Sequence, residues 1–240
     1  MKSGRISPWY FEFVAPLIDA YYAGDLDLAR GLHAVALASL SQEPDHDFAR
    51  AKWLRLQNAW IFILLELGQV DEGMHVFDEL LANWGINQPG PESAEMARVC
   101  ELLTRLHMDL GGWLPLHPQE VQQLINAVPE HRRGGNFWNE VGLWAFRHRN
   151  RKLLDEALIH FSGDPAGDHK DWFHWRLVLM RRMLTHSAKV ADVRHVIGLI
   201  EERPQMREFK RYLLPACAAE GLVTPEIEVE LEDKASKLAA

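Results

Sequence analysis

A short phrase recurs in this chain wherever one apolar helix closes and the next opens. It reads Gly24-Asp25-Leu26-Asp27-Leu28-Ala29, then Gly68-Gln69-Val70-Asp71-Glu72-Gly73, and returns altered as Arg151-Lys152-Leu153-Leu154-Asp155-Glu156-Ala157. A polar turn is followed each time by a helix whose first turn carries a small residue: Ala29, Gly73 or Ala157. A small side chain lets the two helices of a hairpin approach closely, so the phrase marks helical pairs set in series. The expected fold is therefore all-α, a stack of antiparallel helical hairpins.

Hydrophobic spacing extends this pattern along the chain. Leu26, Ala29, His33, Ala36 and Leu40 fall on one helical face, as do Trp53, Leu56, Trp60, Ile63 and Leu67. The spacing predicts six pairs: 8–22 with 26–40, 47–67 with 70–83, 92–110 with 118–127, 137–147 with 152–161, 170–184 with 190–202, and 205–220 with 225–238. Asp25 is a suitable N-cap for the second helix, and Pro118 suits a first helical position. The Gly/Pro-rich stretch Gly85-Ile86-Asn87-Gln88-Pro89-Gly90-Pro91 is the clearest loop, so 85–91 is where a single domain spanning 1–240 could divide. The last helix carries Glu226, Glu228, Glu230 and Glu232, a polar lid for the end of a stack.

Six such pairs resemble a tetratricopeptide-repeat (TPR) protein or a close α-solenoid relative. Gly24, Leu26, Ala29 and Ala36 in the first pair correspond to Gly68, Val70, Gly73 and Leu80 in the second. Phe77 holds the family's aromatic position, and Ala157 with Phe161 repeats the arrangement in the fourth pair. The chain also departs from the pattern: His33 stands in for the aromatic, and Lys152 for the turn glycine. Ala29 and Gly73 lie 44 residues apart, whereas the family's unit is about 34. The resemblance implies a non-enzymatic scaffold whose first helices line a concave groove for a peptide or protein, as in an adaptor, a chaperone or a neutralising partner. It places Tyr21 and Tyr22 there from the first pair, and Arg55, Asn58, Phe62 and Glu66 from the second. Asn139, Phe146 and Arg149 come from the fourth, and Trp175 and Arg182 from the fifth. Tyr, Trp and Arg anchor interfaces because each joins a large rigid area to a polar handle. No cofactor or bound metal is implied.

The formal charge of −8 is unevenly spread. Residues 1–130 sum to −10, residues 131–189 to +5 and the remainder to −3. The basic middle includes Arg132, Arg133, Arg147, His148, Arg149, Arg151, Lys152, Arg181 and Arg182. It could meet an acidic protein partner, or phosphates of a nucleic acid, or simply cover a helix C-terminus where cations suit the dipole. Nucleic acid calls for a strongly basic domain with interleaved aromatics, for which Trp172 and Trp175 are nearby in sequence, and it is the least favoured of the three. Cys100 and Cys217 stand far apart in apolar surroundings and read as small core residues, in keeping with a reducing cytoplasm. Apolar runs are too short to span a bilayer, and Glu12 and Asp19 break up what would otherwise be a leader.

Enzymatic readings have little to stand on. The chain has no GxSxG, no SxxK and no phosphate-cradling glycine loop. His160, Asp164, His169, Asp171 and His174 gather within fifteen residues, and imidazole with carboxylate is a metal-binding or acid–base combination. A metal-dependent enzyme using residues 160–174, or a phosphate binder using 131–189, are the alternatives to a binding scaffold.

Overall fold

A computed structural model describes residues 8–43, 47–86, 90–162 and 170–239, and all regular structure among them is helical. The chain divides into two compact units, Met1–Arg133 and Gly134–Ala240. The first contains α1 (Ala15–Tyr22), α2 (Leu26–Ser41), α3 (Asp47–Glu66), α4 (Val70–Ile86), α5 (Pro91–Leu110) and α6 (Pro118–Ala127). The second contains α7 (Gly135–Arg147), α8 (Arg151–Ser162), α9 (Lys170–Leu184), α10 (Val190–Gly198), α11 (Arg203–Glu208), α12 (Leu214–Ala219) and α13 (Pro225–Ala239). The stretch 85–91, where a single domain could divide, falls inside the first unit. There α5 packs along both α3 and α4, so the helices on either side of that loop share one core. Residues 87–89 themselves lie outside the described residues.

Six hairpin turns among the described residues close in one way. Gly24, Gly68, Gly112, Arg149, His186 and Gly221 each adopt a left-handed backbone, with φ between 50° and 80°. The amide of that residue bonds to the carbonyl three back, and the next amide to the carbonyl five back, at 2.8–3.1 Å. These two hydrogen bonds satisfy carbonyls that a helix end would leave bare. The left-handed residue of the fourth turn is thus Arg149, three positions before Lys152, which lies inside α8. The register implied by the altered phrase is corrected accordingly. Asn150 is the N-cap there, accepting from the Leu153 amide at 3.1 Å.

The small residues sit where helices touch. Ala29 and Ala157 are fully buried, and a Cβ on Gly73 would press against Leu65 of α3. His33 replaces an aromatic and behaves as one, stacking on Trp60 at 4.6 Å with its Nε2 3.3 Å from the Gln57 Oε1. Burial holds its pKa below the usual imidazole value, against the upward pull of Gln57 and Glu72.

Contacts between hairpins fix a regular register. In the first unit Asp47 meets Ser93, Asn58 meets Thr104 and Phe62 meets His107, so α3 and α5 run parallel. The first two of these pairs span 46 residues, and Tyr21 meets Glu66 of α3 at a separation of 45. In the second unit Asn139 meets Arg176 at a separation of 37, Met183 meets Cys217 at 34 and Arg194 meets Glu230 at 36. The two units therefore repeat with different lengths.

Two helices expected to be continuous contain a π-helical turn, Tyr10–Val14 before α1 and Phe209–Leu213 between α11 and α12. Each precedes a proline, Pro16 or Pro215. Proline has no amide to donate and its ring crowds the carbonyl four back, and a widened turn relieves both.

Candidate partner-binding face

In the first unit α1, α3 and α5 lie side by side, and six of the residues singled out from sequence sit on α1 and α3. Tyr21 is only 3% exposed, and its hydroxyl lies 3.4 Å from Glu66 Oε2. The other carboxylate oxygen is 3.1 Å from His107 Nε2. His107 lies against Phe62 at 4.6 Å and Trp113 at 6.0 Å, while Tyr21 touches Tyr22 at 5.0 Å and Phe62 at 6.0 Å. Tyr21, Glu66 and His107 thus form a buried polar cluster joining three successive first helices. With the Glu66 side chain only 4% exposed, the cluster ties helices together rather than facing solvent.

Around that cluster lie half-buried side chains that a partner could touch. Tyr22 and Phe62 present ring surface. Arg55 Nε donates to Met96 Sδ at 3.4 Å, and Asn58 Nδ2 donates to Thr104 Oγ1 at 2.8 Å. Tyr10 joins them. Burial raises its hydroxyl pKa, the Arg55 charge offsets part of that rise, and Asp19 adds to it. Sequence reading missed His107 and Trp113. Their only signal was a position one repeat beyond Phe62, in a pair where the phrase is weak.

A cross-hairpin cap fixes α5 against α3. Asp47, the first residue of α3, accepts from the Glu92 and Ser93 amides at 2.7 and 2.8 Å and from the Ser93 hydroxyl at 2.5 Å. Burial alone would raise its pKa, but these hydrogen bonds, with Arg50, hold it below the ordinary carboxylate value. A side chain on Gly90 would strike this carboxylate, so the position demands glycine.

In the second unit the five named residues do not gather into one cluster. Asn139 is 3% exposed and accepts from Arg176 with both its backbone and side-chain oxygens. Phe146 is half-buried, and Arg149 is exposed in its turn. Trp175 packs edge-on against His195 at 4.6 Å. Arg182 is held by Asp192. The central residue that sequence reading missed is Arg176, fully buried between Asn139 and Glu208, with Trp172 and Phe173 at 5.2 and 5.6 Å. Burial pushes its pKa down to about 10, against the opposing pull of Glu140 and Tyr212. Only its spacing from Trp172 and Phe173 on an apolar face could have flagged it.

Of the histidine–aspartate group, Asp164, His169 and the side chain of Asp171 lie outside the described residues. His160 stacks flat on Trp138 at 4.3 Å, and His174 lies 5.8 Å from Trp175. Among the described residues no three His, Cys, Asp or Glu side chains converge as for a metal ion, and no helix is long and apolar enough to cross a membrane. No protein-family model, curated protein or solved structure matches this chain.

Proposed function

We propose that this chain is a non-enzymatic binding scaffold, a TPR-like α-solenoid that holds a protein or peptide against its first helices. The supporting observation is the parallel row α1, α3 and α5, with half-buried Tyr22, Arg55, Asn58 and Phe62 above a closed polar layer. Rigid aromatic rings beside an arginine and an amide, on helices locked together beneath, suit a preorganised interface. An adaptor, a chaperone or a neutralising partner all fit this reading.

Photo-crosslinking tests it. A crosslinking residue placed at Tyr22 or Phe62 in the native chain is expected to trap one defined protein partner. The same probe at Asp78 or Glu79, exposed on α4, is expected to trap none. Equal capture from both helices, or capture only from α4, would overturn the assignment of the face.

A further inference from the structure

The second unit carries a surface that the first-helix reading does not use. The chain's fourth and fifth hairpin turns lie on the same edge of this unit, because α7 and α9 pack together and Arg181, near the end of α9, pairs with Asp155 at the start of α8 at 2.5 Å. The exposed residues of this edge are Arg147, His148, Arg149, Arg151, Lys152, His186 and Lys189. Several nearby cations are already neutralised. Arg151 and Arg181 share Asp155, Arg182 is held by Asp192, and His186 meets Glu220 at 3.3 Å. Arg147, Arg149 and Lys152 have no carboxylate partner among the described residues.

A second observation concerns the backbone. Four of the six equivalent turns place glycine at the left-handed position, whereas the two adjacent turns on this edge place Arg149 and His186 there, at φ 51° and 50°. An L-residue is strained in that region and glycine is not. His186 recovers something through Glu220. Arg149 gains no ion pair among the described residues to offset that cost. Strain without internal compensation marks a position kept for an external contact.

We infer that this edge docks an acidic segment of a partner protein, with Arg147, Arg149 and Lys152 receiving its carboxylates. The cations that are already satisfied here, Arg151, Arg181 and Arg182, are satisfied by aspartates, so spaced acidic side chains match the surface chemistry. A phosphate backbone is the poorer fit, since Asp155, Asp192 and Glu220 interrupt any continuous basic track. Of the four tryptophans in this unit, Trp138, Trp144 and Trp172 are buried, and half-buried Trp175 is packed edge-on against His195, which leaves bases little stacking platform.

The test is fluorescence anisotropy of a labelled glutamate-rich peptide titrated with the full chain at low and high salt. Binding is expected at low salt and should weaken as salt rises. Combining Arg147→Gln, Arg149→Gly and Lys152→Gln should weaken it about tenfold, since each exposed charge contact contributes roughly two- to threefold. Arg194→Gln with Lys234→Gln, elsewhere in the same unit, should leave it unchanged. The single variant Arg149→Gly should bind less tightly while melting higher, which separates lost contact from lost fold. Absence of peptide binding at low salt, equal loss in the control pair, or tighter binding of a single-stranded oligonucleotide than of the peptide would each overturn the inference. The crosslinking result at Tyr22 and Phe62 is independent of all of these.

Discussion

Exchanging residues between equivalent turns offers a direct test of how the hairpins are held. Arg149 and Gly68 occupy the same place in the same hydrogen-bonded turn, at φ 51° and 76°. The left-handed region costs an L-residue roughly 1–2 kcal/mol. Glycine's extra freedom in the unfolded chain offsets about 0.5–1 kcal/mol of any gain. Arg149→Gly should therefore stabilise the fold by about 0.5–1 kcal/mol, and Gly68→Ala should destabilise it by a similar amount. No atom lies within 4 Å of a Cβ added at Gly68, so the penalty there is dihedral and not steric. Arg149→Asn should fall between Arg149 and Gly, because asparagine tolerates this region better than most residues. Equilibrium unfolding in denaturant, followed by tryptophan fluorescence and circular dichroism, reads these differences as midpoint shifts at constant slope. In thermal melts each kcal/mol corresponds to about 2–4 °C for a chain of this size. If Arg149→Gly leaves the midpoint unchanged or lowers it while Gly68→Ala lowers it as expected, the arginine is not strained and the argument from its backbone fails.

Other outcomes follow from the buried polar groups. Asp47→Ala should cost about 1–2 kcal/mol, because it strips the cap from α5. Its folded pKa lies below the unfolded one, so the carboxylate's contribution is complete above the unfolded pKa and disappears as pH falls through the folded value. Unfolding midpoints in acid should accordingly converge between wild type and Asp47→Ala, and a constant gap at every pH would refute this. Arg176→Ala should cost about 3–5 kcal/mol by leaving buried Asn139 and the Glu208 carboxylate without their cation, whereas Arg176→Met, which keeps the volume, should be milder in the same denaturation assay. Burial pushes both Cys100 and Cys217 up to about 12, so neither thiol should react with a thiol reagent in the native protein near pH 8, and both should react in denaturant. Rapid native labelling of either would contradict its placement in the core.

Local sequence carried most of the secondary structure. The helices 26–41, 91–110, 118–127 and 170–184 lie within a residue or two of where hydrophobic spacing placed them, because each buries one stripe and ends at a glycine, proline or polar cap. The hairpin signal was legible at Gly24 and Gly68, where glycine, a cap and a small residue coincide. It failed at Gly112, which leads into Trp113, Leu114 and Pro115 before α6 begins, so no small residue follows on the next helical turn. At Arg149 the non-glycine residue hid the turn and shifted the reading by three positions.

What sequence alone determined, then, was the all-helical class, most of the helix bounds and the close approach of the first two pairs, since all three depend on neighbours within a few dozen residues. Tertiary structure alone decided the register between hairpins, 45–46 residues across the first unit's pairs and 34–37 across the second's. Register is set by which side chains interlock between successive helices, and no local spacing encodes it. The same holds for the buried partners. His107 reaches Glu66, and Arg176 reaches Asn139 and Glu208, only after parallel helices bring residues from different hairpins into hydrogen-bonding distance. Desolvation makes those pairings obligatory, and desolvation exists only in the folded chain.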